Sequence, residues 1–151
     1  MTESIDEAAA FSLLAFPEGL TFVEQGLLGL EHLRRFTLEA YAEDTPFYWL
    51  RSEEEPDMAF LVMEPGYFIE DYAFDLADET LQALQIEQPE DVGVLVLLSI
   101  PENPLAMTAN LLGPIVYHRK QFLGKQVVLD PETYPLQYPV LQEADDARSH
   151  P

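Results

Sequence analysis

The 151-residue chain has no cysteine. Disulfides, thiolate metal sites and a cysteine nucleophile are therefore excluded, and a reducing compartment is consistent with the composition. Long apolar runs are missing too. The longest covers residues 92–100, is interrupted by Gly93 and Ser99, and falls well short of the roughly 18 residues that a membrane-spanning helix needs. Basic residues are scarce: seven Lys and Arg stand against 28 Asp and Glu, a net charge of -21. Such a surface repels phosphate backbones and anionic headgroups, which argues against direct contact with nucleic acid or membrane. Residues 1–10 carry Glu3, Asp6 and Glu7 and lack the basic start of a secretory signal. A cytoplasmic location is the expectation.

Motifs of reactive chemistry are also lacking. His32, His118 and His150 have no H-E-x-x-H or H-x-H context and no acid at ligand spacing. Each reads as a surface or rim histidine. The scattered glycines form no G-x-G-x-x-G, P-loop or G-x-S-x-G pattern. Glu53, Glu54, Glu55 and Asp57 lack the Gly-anchored spacing of a calcium loop and read as a solvated acidic turn. No catalytic residue, metal ligand or cofactor site is expected.

What is present suits one folded domain. The apolar fraction is 48%, ordinary for a globular chain, and the length allows a single core without staples. Residues 1–142 read as that domain, with residues 1–10 a loose tail and residues 143–151 a disordered acidic one. Between them, short strand-like runs recur. Residues 35–41 alternate, with Phe36, Leu38 and Ala40 on one face. Residues 47–51 are aromatic, and residues 59–63 are wholly apolar, as in a strand covered on both sides. Residues 92–100 are the strongest strand, and residues 111–118 and 126–129 follow around a polar turn with Arg119, Lys120, Gly124 and Lys125. Residues 67–76 mix Tyr67, Phe68, Tyr72 and Phe74 with Glu70, Asp71 and Asp75. If Phe68, Tyr72 and Phe74 point inward, Glu70 shares their parity, a conflict that suggests an edge strand, a bulge or a functional surface.

Helix signals are few. Residues 78–85 place Leu81 and Leu84 on one face and Asp78 and Glu79 in the first turn. Residues 26–35 allow a turn or two with Leu27, Leu30 and Leu33 inward, and residues 108–111 are ambiguous. Pro131, Pro135 and Pro139 imply an extended strap. The expected fold is mainly β: a small antiparallel β-barrel-like or sandwich domain with one or two short helices.

Three stretches carry a family resemblance. The first is F-V-E-Q-G-L-L-G-L-E-H-L-R-R-F-T-L at residues 22–38, followed by P-F-Y-W-L at 46–50. The second is D-Y-A-F-D-L at 71–76, before the short helix. The third runs through residues 107–130, with M-T-A-N-L-L-G-P-I-V and G-K-Q-V-V-L-D. Together they resemble the flagellar assembly factor FliW family over roughly residues 20–138. The family's F-P-E-G-L-type turn has two counterparts, at residues 16–20 and 22–27. The second leads directly into Leu30 and is favoured, which leaves the register of the first strand open. The resemblance implies a compact β-barrel-like domain without enzymatic activity. It implies two partners: flagellin, and the basic RNA-binding regulator CsrA, which such a protein removes from flagellin mRNA without touching RNA.

The acidic charge fits a basic partner, because attraction speeds encounter. Glu64, Asp71, Tyr72, Asp75 and Asn110 are the candidate contact residues, chosen by motif position and exposed-acid logic. Asn110 also fits a purely structural role, an amide tying a turn after Thr108. The protein is expected to be a monomer. The alternative is a ligand-binding or hydrolytic small β-barrel whose acids gather in a deep pocket.

Overall fold

The computed structural model describes residues 19–141. The loose ends expected at residues 1–10 and 143–151, and the domain limit at residue 142, lie outside the described residues. Among the described residues nine strands form: β1 (Leu20–Phe22), β2 (Arg35–Ala40), β3 (Tyr48–Ser52), β4 (Ala59–Met63), β5 (Val92–Ser99), β6 (Thr108–Ala109), β7 (Ile115–His118), β8 (Leu123–Gln126) and β9 (Tyr138–Pro139). A short helix, α1 (Asp78–Ala83), precedes β5. Three 3-10 turns, Pro65–Tyr67, Pro89–Asp91 and Pro104–Ala106, each begin on a proline, whose fixed φ and missing N–H suit a first helical position.

Seven strands close into a barrel in the order β4-β3-β2-β1-β8-β7-β5, with β5 returning to β4. Neighbours are antiparallel except β1 and β8, which run parallel with Thr21 opposite Leu123. The register of the first strand, open in the sequence, is set by Leu20 opposite Phe36 and Thr21 opposite Arg35. Gly19 lies immediately before it, at φ 84, where an added Cβ would overlap the Phe36 carbonyl. Only glycine meets both demands.

Alternation explains which residues fill the barrel. Along β3, Tyr48 and Leu50 are buried between half-exposed Trp49 and Arg51. Phe22, Phe36, Leu38, Leu50, Val62, Leu95, Ile115 and Tyr117 form the barrel core. A second core lies on the outer side of the β4–β5 wall, where Met63 and Val96 meet Met107, Leu111 and Val140. The wholly apolar run at residues 59–63 is thus covered on both sides, as its composition suggests. The strap behind the second core is extended: β9 pairs with β6, and the Val140 amide donates to the Met107 carbonyl at 3.1 Å.

Several sequence expectations are corrected. Residues 26–35 form successive tight turns, not helix, because Gly26 (φ 58) and Gly29 (φ 84) sit in the left-handed region that a right-handed helix excludes. Leu27 and Leu33 are nonetheless buried. The last barrel strand is Leu123–Gln126 rather than 126–129. Gly124 and Lys125 look like turn residues, yet β1 and β7 pair with this segment from both sides, and tertiary pairing outweighs local propensity. The preceding strand starts at Ile115, since residues 110–114 make a turn, and the ambiguous stretch at 108–111 contributes β6. Residues 67–76 are not a strand. His118 is buried rather than at the rim: its Nδ1 accepts from the amides of Lys120 and Gln121 and so locks the β7–β8 turn. His32 is exposed beside Glu55, as expected.

Gly93 faces Tyr117 across β5 and β7, and a Cβ on it would overlap the Tyr117 ring. Gly93→Ala should destabilise the barrel by about 1–3 kcal/mol through overpacking. Urea unfolding is the check: a lower midpoint at unchanged slope is expected, and an unaltered midpoint would show that the ring has room to move.

Candidate partner-contact surface

After β4 the chain makes the Pro65–Tyr67 turn and then runs as a ribbon without strand partners. Phe68 ends the turn at φ -138 and resets the side-chain parity. Tyr72, Phe74 and Leu76 then face inward, while Glu70, Asp71 and Asp75 are exposed. The apparent parity conflict at Glu70 disappears. Side chains hold the ribbon in place. The Tyr72 hydroxyl donates to the Leu111 carbonyl at 2.5 Å, and the Tyr134 hydroxyl of the strap donates to the Ala73 carbonyl at 2.5 Å. Edge-to-face rings connect Tyr72 to Phe74 (5.2 Å) and to Tyr134 (5.6 Å), a favoured aromatic geometry. Burial raises the Tyr72 pKa, so the phenol stays a neutral donor.

Of the five sequence candidates, Tyr72 and Asn110 come together through the turn that follows β6. Asn110 Oδ1 accepts from the Gly113 backbone N–H at 2.8 Å, and the Asn110 backbone N–H donates to the Leu97 carbonyl at 2.9 Å. These bonds are those of a turn-tying amide. Asp71 and Asp75 sit exposed on either side of Tyr72.

Glu64 keeps different company. Its carboxylate lies 3.8 Å from Arg119 Nη2, and its pKa is raised by burial, with Arg119 opposing the shift. Tyr48 is raised as well, by burial and then by the Glu64 charge. Arg119 also donates through Nε to the Val92 carbonyl at 3.1 Å and lies 5.9 Å from the Tyr117 ring centre, within cation–π range. Next to it, buried Asp91 has Lys120 Nζ at 3.3 Å and His118 Nε2 at 3.9 Å.

Sequence reasoning passed over Gln126. This buried amide accepts from the Leu28 amide at 2.9 Å and donates to the Gly113 carbonyl at 2.8 Å, joining the turns after β1 and before β7. Its place in the G-K-Q-V-V-L-D stretch is the one signal that marks it.

Charge is distributed unevenly over this frame. Residues 52–118 contain fourteen Asp and Glu and no Lys or Arg. That span supplies β4, the ribbon, α1, β5, β6 and β7. Six of the seven basic residues, Arg34, Arg35, Arg51, Arg119, Lys120 and Lys125, belong to β2, β3 and the β7–β8 hairpin or adjoin them. Some of these acids meet basic residues from outside the span, Glu64 with Arg119, Asp91 with Lys120 and Glu53 with Arg35, while Glu70, Asp71, Asp75, Asp78 and Glu79 are exposed. Large side chains fill the barrel interior, so the acids do not line a deep central cavity. Among the described residues no three metal-ligating side chains cluster, and no helix is long and apolar enough to cross a membrane.

These features define a small closed β-barrel with an external strap and an acidic surface ribbon. A family model described as "FliW protein" matches residues 7–140. The chain is 37% identical over 135 residues to the flagellar assembly factor FliW of Thermoanaerobacter pseudethanolicus, covering 89% of this chain and 90% of that one. It is 36% identical over 123 residues to the flagellar assembly factor FliW of Bacillus subtilis, covering 82% and 86%. A crystal structure of the flagellar assembly factor FliW superposes with a TM-score of 0.75 at 34% identity, over 83% of this chain and 87% of that one. The chain belongs to the FliW family of flagellar assembly factors.

The raised pKa of Glu64 has a signed consequence. With the folded value above the unfolded one, Glu64 favours folding while protonated, and that contribution is lost as pH rises from below 4.5 through its raised value. Glu64→Gln cannot titrate. The variant should gain stability relative to the parent between acid and neutral pH, read from urea midpoints at both. Parallel pH profiles would contradict the assignment.

Proposed function

We propose that this protein works in the cytoplasm by contact alone, binding flagellin and the basic regulator CsrA. Free protein withdraws CsrA from flagellin mRNA, so flagellin is translated. Accumulating flagellin then occupies the protein and releases CsrA, which matches synthesis to export. Membership of a family of flagellar assembly factors supports the process. The observation that carries the choice of partner is the acidic stretch over residues 52–118, fourteen acids without a basic residue, twelve of them exposed. It complements a basic protein and repels the RNA that protein holds. In the ribbon at residues 68–76 the exposed Glu70, Asp71 and Asp75 stand over half-buried rings, which hold that acidic surface in place for a partner. The protein itself contacts no nucleic acid and acts as a monomer.

The test mixes the purified protein with CsrA and with flagellin from its own organism at low salt. Complexes with each at micromolar concentration are expected; absence of both would refute the proposal.

Asp71 and Asp75 lie on either side of Tyr72 in the ribbon, one and three positions away in the chain. Replacing both with lysine should weaken CsrA binding by about tenfold at low salt and flatten its salt dependence, while leaving the fold intact. Calorimetric titration at two salt concentrations reads this directly. An affinity that does not change at low salt removes both residues from the interface.

A further inference from the structure

The β2–β3 hairpin extends past its last strand pair, Ala40 with Tyr48, to a loop at residues 41–47. Its two faces differ. On one, Tyr41 packs against Phe47 at 6.2 Å and Trp49 at 5.9 Å, and these rings stiffen the loop. On the other, the small residues Ala40 and Ala42, with Pro46, leave space opposite Tyr48 and Tyr67. The result is a pocket of about 490 Å³ between the hairpin loop and the turn after β4. Glu43 and Asp44 form its rim. Both are exposed, and among the described residues neither is held in an ion pair. Tyr67, 45% exposed, lines the same pocket.

We infer that this pocket receives one large apolar side chain of the basic partner, with an adjacent lysine or arginine set against the Glu43–Asp44 rim. The inference rests on the proposed function and assigns its basic partner a seat apart from the Asp71–Asp75 ribbon. Three features carry it. The lining is mostly apolar, as the seat of a large aliphatic or aromatic anchor requires. The acidic rim complements a neighbouring cation. The ring stack on the opposite face holds the loop in shape before binding, which lowers the ordering cost.

Calorimetric titrations of the full chain against CsrA and against flagellin from the same organism test this. Two variants are compared with the parent. Ala42→Trp fills the pocket at an exposed position. Glu43→Gln/Asp44→Asn neutralises the rim, and asparagine tolerates the left-handed backbone at residue 44 (φ 65). With thermal midpoints unchanged, Ala42→Trp should lower CsrA affinity by about tenfold or more. The rim variant should lower it about threefold at low salt, with the difference fading at high salt. A parallel loss of flagellin binding would leave the seat assigned to CsrA and show that flagellin competes for it. A loss of flagellin binding alone overturns the inference. So does undiminished CsrA binding by both variants, while a parent that still binds leaves the proposed function standing. A parent that binds neither partner overturns both. Should Ala42→Trp fail to fold, the rim variant decides: equal affinity to the parent at low salt refutes the seat.

Discussion

Closure of the barrel depends on two short seams, and the placement of every outer element follows from them. At one, β1 runs parallel to β8, with Thr21 and Val23 donating to the carbonyls of Phe122 and Gly124 at 2.9 Å. At the other, β4 meets β5 through Val62 opposite Leu97 and Met63 opposite Val96. Closure removes the exposed edges that an open sheet would present. It also leaves the outer face of the β4–β5 seam apolar, because Met63 and Val96 project there. The strap and the turn after β6 cover that face. Tyr72 and Tyr134 in turn fasten the acidic ribbon onto this cover. The position of Asp71 and Asp75 thus traces back to a seam of two residue pairs.

Polar side chains in this structure mostly serve to join segments. Gln126, Asn110 and His118 each accept or donate hydrogen bonds that fix a turn, and Arg119 connects Glu64 to the Val92 carbonyl. Buried polar groups need such partners, and a domain with few helices has many turns to fix. The acids outside this network remain on the surface, and half of all the acids fall within residues 52–118, where no Lys or Arg occurs. That concentration disfavours the compact state through self-repulsion while keeping the protein soluble, and it is the feature from which the proposed choice of partner proceeds.

Much of this frame was legible in the sequence, for identifiable reasons. The strand at residues 59–63 showed in its unbroken apolar composition, and β2 in its alternation, because burial on two faces or one imposes those patterns. Helix α1 showed in its acidic first turn and paired leucines. What stayed hidden depends on contacts distant in the chain. β8 carries a glycine and a lysine and owes its conformation to β1, about a hundred positions away in sequence. The Glu64–Arg119 pair joins elements with no common motif, so Glu64 looked like a simple rim acid. Tyr72 stood out by its motif position, but nothing in the sequence showed that its hydroxyl bonds to Leu111 while its ring lies half-buried. The pocket beside Ala42 left no trace, since two alanines and a proline carry no pattern until a tyrosine closes over them.

The central claim is that the protein controls access of a basic regulator to RNA through its surface alone. Its most direct measurement follows a fluorescently labelled flagellin leader RNA bound to CsrA by anisotropy as the protein is added, and then as flagellin is added to the same mixture. The account predicts that anisotropy falls with the protein, showing RNA set free, and rises again with flagellin. RNA that stays on CsrA at saturating protein, or a protein that binds the RNA itself, would contradict it.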